Sequence, residues 1–212
     1  TSFFSCNTSA RYGGAIYFTN GNGQSVYHKV CGYDCYSTYT SSSSYGQFSY
    51  NSLYNAASTK NYINYSSISR CVIDNSKSHH MICHYYGKHL YPSVNMSMNK
   101  CYGRSGIYCC PLSVSNSVTC SITYSTFSDN HANGYTCIML WTTGANFEIK
   151  SCNILRNTQG SLNSEGTIYT IGNLMIEDSC ILENKATYIF RQGSSSYTIT
   201  LSNCTVDLTS NN

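Results

Sequence analysis

The sequence predicts an all-β protein, a right-handed parallel β-helix of about eight coils with 24–31 residues per coil. Three observations predict it. First, "FEIKSCNILRN" (147–157) lies over "LMIEDSCILEN" (174–184) without a gap, with "CSITYSTFSDN" (120–130) before it and "ITLSNCTVDLT" (199–209) after it. Second, apolar positions alternate within each copy, as in Phe147-x-Ile149 and Leu174-x-Ile176, so one strand face is buried and the other wet. Third, β-branched and aromatic residues are separated by Ser/Asn/Gly clusters, and only 10% of the chain is charged. A propeller blade needs four antiparallel strands in roughly 40 residues, which a period of 27 cannot supply.

The elements follow from the columns of this alignment. Cys120, Phe147, Leu174 and Ile199 form one, and Ile122, Ile149, Ile176 and Leu201 the next. Phe127, Ile154, Ile181 and Val206 form a third, and Asn130, Asn157, Asn184 and Thr209 the last, at steps of 27, 27 and 25. An asparagine recurring at one corner predicts a buried amide ladder of Asn130, Asn157 and Asn184, because each amide both donates and accepts. Toward the N-terminus the same ending is read at Phe4/Asn7, Phe48/Asn51, Val72/Asn75 and Met96/Asn99. Residues 8–47 are then an irregular coil or an insertion through "NGNGQ". Between the endings runs a further strand column: Ile16, Ile82, Ile107, Ile138, Ile168 and Ile189. The whole of 1–212 reads as one β-helix domain, with ends that lack natural caps and imply a longer parent or copies stacked end to end.

Composition narrows the function. A formal charge of +3 on scattered Lys and Arg argues against nucleic acid, and no apolar run is long enough to span a bilayer. The opening "TSFFSCNTSA" carries neither Met nor a signal peptide and reads as a mature or excised fragment. Thirteen cysteines and the sequons at Asn7, Asn64, Asn95 and Asn203 suggest an exported, glycosylated, extracellular or cell-surface protein. Cys31-x-x-x-Cys35 reads as a disulfide across a turn, with half a metal site as the alternative; several other cysteines read as buried free thiols.

"GGAIYF" (13–18) and the recurring Phe-x-x-Asn of 4–7, 48–51 and 127–130 resemble the paired motifs of polymorphic membrane protein (Pmp) repeats. The Cys-, Tyr- and Ser-rich texture of 30–71 is more similar to the Pmp-like surface proteins of trichomonad protists. The resemblance implies a right-handed β-helix passenger with a structural or adhesive role at the cell surface. It carries over no catalytic residue.

Two constellations invite chemistry. In "SHHMICHYYGKH", His80 and His84 would share one strand face and could ligate zinc, but no third or fourth ligand is evident, so the stretch reads as an exposed strand or loop with Ile82 inward. Asp129, Arg156 and Glu183 fall in one column before the asparagines, with the two acids two coils or about 9.6 Å apart, near the spacing of an inverting glycosidase. Arg156 between them would pair with both and hold both ionised, which is wrong for a general acid. Lys150 and Glu177 form a similar cross-strand pair. Taken together, the expectation is a non-enzymatic surface or adhesion module with no cofactor. Its partner is a host or neighbouring-cell surface, a glycan, or copies of itself; a carbohydrate-active β-helix is the alternative.

Overall fold

In the computed structural model, which describes residues 1–39, 45–54, 56, 58–72, 80–114, 116–160 and 165–207, the chain winds into a parallel β-solenoid of about seven turns. All named elements are strands. One turn shows the plan. Asn153–Leu155 lies in a first sheet, Ile168–Thr170 in a second and Asn173–Glu177 in a third, after which Cys180–Leu182 returns to stack on Asn153–Leu155. The first sheet has eight strands and the other two have seven each. Short extra strands such as His131–Ala132 and Thr158–Gln159 follow the first sheet. Alternation sets the core: in Asn146–Lys150, Phe147 and Ile149 point inward and are buried, while the residues between them are half-exposed.

The C-terminal columns pair as the repeat dictates. Cys120, Phe147, Leu174 and Ile199 are in register, as are Ile122, Ile149, Ile176 and Leu201. Phe127, Ile154, Ile181 and Val206 stack likewise in the first sheet. At the corner beyond it, Asn130 Nδ2 donates to Asn157 Oδ1 at 3.0 Å, and Asn157 Nδ2 to Asn184 Oδ1 at 3.0 Å. Each Oδ1 also accepts the backbone N–H of the preceding coil's asparagine, and each second amide hydrogen goes to a backbone carbonyl, as from Asn157 to Phe127. Asn99 begins the ladder by bonding Asn130 in the same way. Thr209 lies outside the described residues.

The N-terminal register differs from the expected one. Met96 pairs with Ile68, and Ile68 with Gly32, which pairs with Phe3. The corner column therefore runs Cys6, Cys35, Cys71, Asn99. Cys71 Sγ accepts the Cys35 N–H as an asparagine oxygen would, while the Cys71 N–H goes to Asn99 Oδ1. Phe4/Asn7 is one residue out: Phe4 is exposed and Phe3 packs on the core. Phe48 and Asn51 belong to the second sheet, where Asn51 pairs with His84. Val72 is exposed, and Asn75 lies outside the described residues. Within 8–47 lie the strands Ile16–Asn20, Gln24–His28, Cys31–Tyr33 and Tyr36–Ser37, 40–44 lies outside the described residues, and the corner spacing widens to 36 residues from Cys35 to Cys71. In the second sheet Phe190, not Ile189, pairs with Ile168, although Ile189 is buried.

Two backbone corners bracket each of the six inner strands of the first sheet, and one flanks each outer strand. The residue before each ladder position (Ser5, Asp34, Arg70, Met98, Asp129, Arg156, Glu183) has φ of 48–59°. At the other end, Lys29, Tyr65, Ser93, Tyr124, Ser151, Asp178 and Asn203 have φ of 50–58°. Left-handed conformation costs a non-glycine residue roughly 1–2 kcal/mol. Stacking offsets it, because these N–H groups bond to the next coil: Asp129 to Leu155, Arg156 to Leu182 and Ser151 to Glu177. At the second corner the hydroxyls of Ser66, Ser125 and Ser179 accept the N–H groups of Val30, Val94 and Cys152. Glycine is required where "GGAI" turns into the second sheet. Gly13 has φ of 65°, and a Cβ on Gly14 would meet the Gln47 carbonyl oxygen at 1.9 Å.

Candidate functional site

Two features stand apart from repeat architecture. The first is the outer face of the second sheet. Its outward column reads Tyr17, Tyr50, Cys83, Tyr108, Met139, Tyr169, Arg191, paired strand to strand in register. Tyr12 lies against Tyr50 with ring centroids 4.5 Å apart, His80 stacks on Tyr108 at 4.5 Å, Tyr85 contacts Tyr108 at 5.5 Å, and Trp141 stacks on Tyr169 at 5.8 Å. The rings cover Cys83 and Met139, which are fully buried. Tyr17 remains 56% and Trp141 38% exposed. Burial pushes the Tyr50 phenol up to about 12 and raises those of Tyr85 and Tyr108 as well, so these phenols are neutral and the face is rich in hydroxyls. Arg104 closes one edge, 4.3 Å from the Tyr135 ring.

The second feature is inside. Between the second and third sheets of the earlier coils the core is polar: Asn51, Asn61, His84, His89 and Tyr91 are all fully buried. Tyr27 donates to Asn51 Oδ1, and Asn51 Nδ2 donates to Ser25 Oγ at 2.7 Å. Asn61 Nδ2 donates to the carbonyls of Tyr85 and Tyr86. The Tyr91 hydroxyl lies 3.0 Å from His84 Nδ1 and 3.2 Å from His89 Nδ1. His84 Nε2, fully buried, has no hydrogen-bond partner among the described residues. Beside this network, His89, Cys109 and Cys120 bring one ligand atom each to within 4.8 Å of one another. Burial opposes ionisation of Cys109, but hydrogen bonds to Cys120 and His89 outweigh it and bring that thiol down to about 6. Burial raises Cys120.

The structure separates His80 from His84. Met81 and Ile82 are both in the core, so His80 faces outward onto Tyr108 while His84 faces inward; opposite Met81 the partner strand Arg104–Cys110 carries one extra residue. The strand His80–Tyr85 is buried rather than exposed. Sequence reasoning also passed over His89, Cys109 and Cys120. The direct register of His89 on Cys120 was available from column counting only once the intervening turn length was known.

The expected Cys31–Cys35 bridge is absent. Cys31 is exposed, and Cys35 is buried with its Sγ facing the Phe3 and Tyr33 carbonyls; both are free thiols. Arg156 pairs with one acid, not two: Nε and Nη2 bond Asp129 Oδ1 and Oδ2 at 2.7 and 2.9 Å. The Arg156 hydrogen bond holds Asp129 below its usual range. The Glu183 backbone N–H instead donates to Asp207. Lys150 Nζ meets Glu177 at 2.8 Å. Of the sequon asparagines, Asn7, Asn95 and Asn203 are exposed and Asn64 is half-buried. Comparison with known proteins returns no matching family model, no matching curated relative and no matching solved structure.

Proposed function

We propose that this chain is a non-enzymatic, extracellular or cell-surface adhesion module that holds a linear neutral glycan along the outer face of its second sheet. The observation that supports the reading is the aromatic column from Tyr17 to Tyr169, with Trp141 at its flank. Strands about 4.8 Å apart stack these side chains along the solenoid axis, so the six strands from Tyr17 to Tyr169 make a platform of roughly 24 Å, its rings spread over Cys83 and Met139. Tyrosine and tryptophan give broad, rigid contact area at low entropic cost, each with a polar group for a hydroxylated ligand. With its phenols neutral, the rings offer stacking and hydrogen bonds to a neutral polysaccharide, and the charges are confined to the edges of the column, where Arg104 is paired with Glu165 and Arg191 ends the stripe. The Pmp-like motifs point the same way, to a surface passenger. Against a hydrolase stands the bidentate Arg156–Asp129 pair: a general acid working near neutrality needs its pKa raised, and Asp129 is held down.

The test is retention on insoluble neutral polysaccharides, with isothermal titration against soluble oligosaccharides of increasing length. Tyr17→Ala, Trp141→Ala and Tyr169→Ala should each weaken binding by roughly 5- to 30-fold, in line with about 1–2 kcal/mol per exposed aromatic contact. Tyr124→Ala, on an exposed tyrosine away from this face, should leave it unchanged. Retention unaffected by all three stripe variants, or turnover of the glycan, overturns the reading.

A further inference from the structure

We propose that His89, Cys109 and Cys120 form a structural zinc site in the core of the solenoid, independent of the aromatic face. Geometry comes first. His89 and Cys120 are direct partners on adjacent strands of the third sheet, and Cys109 faces them from the second sheet. All three side chains are buried, and their ligand atoms lie within 4.8 Å of each other. A tetrahedral zinc with Zn–S near 2.3 Å and Zn–N near 2.0 Å needs ligand atoms about 3.3–3.8 Å apart. Rotamer-scale movement closes the difference.

The histidine is already set for coordination. His89 Nε2 lies 2.9 Å from the Tyr86 carbonyl oxygen, which can only accept, so Nε2 carries the proton. Both Asn61 amide hydrogens are directed at the Tyr85 and Tyr86 carbonyls, so Asn61 does not compete for that assignment. Nδ1 is therefore the basic nitrogen. An imidazole whose other N–H is held by a backbone carbonyl is the usual second-sphere arrangement of a metal ligand. The Tyr91 hydroxyl, 3.2 Å from Nδ1, can turn its proton to His84 Nδ1, 3.0 Å away, and so leave the His89 lone pair free.

Charge selects the ion. Zinc with two thiolates and a neutral imidazole sums to zero, which a closed core tolerates. A monovalent copper on the same ligands leaves a buried negative charge. In these coils Asn51, Asn61, His84 and Tyr91 are buried beside Ile63, Ile82 and Ile107, so a cross-sheet staple would tie together the polar stretch of the core.

The experiment uses the whole chain, purified from zinc-supplemented medium, with metal content measured by mass spectrometry and ligation by X-ray absorption. We expect about one zinc per chain with a sulfur-plus-nitrogen shell, and cobalt substitution giving thiolate charge-transfer absorption. Cys109→Ser/Cys120→Ser should bring zinc below roughly a tenth of an ion per chain, while Cys31→Ser keeps it. Should the double variant fail to fold, the absorption shell of the unsubstituted chain still decides. A zinc-free chain after equimolar loading, a Cys109–Cys120 disulfide in unreduced peptide maps, a shell without sulfur, or uptake of copper alone would each overturn the assignment.

Discussion

At the ladder corner the physics of a single position is visible seven times over. An asparagine there satisfies two N–H groups of the coil before it and returns two amide hydrogens, so no polar atom is stranded in the core. Cysteine at 6, 35 and 71 fits the same space but gives a weak acceptor and no pair of donors. The stacked sulfurs interact: the hydrogen bond to Cys71 draws the Cys35 thiol down to about 6, and the same bond raises Cys71. Extending the ladder should therefore be tolerated. Cys71→Asn is expected to hold or raise the midpoint of urea unfolding. Cys71→Ala, which leaves the Cys35 N–H without an acceptor, should cost about 1–3 kcal/mol. A Cys71→Asn protein less stable than Cys71→Ala would mean the corner does not work as an amide site.

The six inner strands of the first sheet are short because each is bent at both ends by a left-handed residue, and stacked N–H···O bonds hold most of those bends in place. Few of these positions carry glycine or asparagine, the residue types that adopt the conformation most readily. Tyr124, 68% exposed with φ of 52°, isolates the effect, since its side chain buries little. Tyr124→Gly should change stability by no more than about 1 kcal/mol in either direction, and Tyr124→Val should lose about 1–2 kcal/mol to the β-branched clash. Chemical denaturation of the two variants checks the ordering, and Val outperforming Gly would contradict the assigned backbone. The bulge in Arg104–Cys110, where Ser105 and Gly106 oppose Met81, is the other element-scale irregularity. On the neighbouring strand Met81 and Ile82 both lie in the core, so the faces swap after Met81 and His84 points inward.

Over the whole molecule the interior changes character along the axis. Coils near the N-terminus pack Asn51, Asn61, His84 and Tyr91, and later ones stack Phe147, Leu174, Ile149, Ile176 and Ile154. In a solenoid each coil touches only its neighbours, so stability is local and need not be uniform. Metal-free protein should show amide hydrogen exchange with greater protection in the third-sheet strands 146–150 and 173–177 than in 24–28 and 60–64. Zinc should raise protection around 88–92 and 118–123 first. Uniform protection along the axis would show that the polar core is as stable as the apolar one.

What the sequence determined by itself is the solenoid and its C-terminal register. Identical spacing writes the same residue at the same place in each coil, and period-two alternation assigns faces without any knowledge of neighbours. The Asn column was legible for the same reason, because a ladder needs one residue type repeated. Tertiary structure alone decided the rest. Cys6, Cys35 and Cys71 share a column with asparagine, and no pattern of identity links a thiol to an amide. Val72 seemed to stand where Ile68 does, since a turn of variable length hides the count. Tyr17, Tyr50, Tyr108 and Tyr169 lie 33, 58 and 61 residues apart and become one face only when parallel strands stack. His89, Cys109 and Cys120 meet across two sheets, one of them past a bulge-shifted neighbour, so their convergence is a property of winding rather than of spacing.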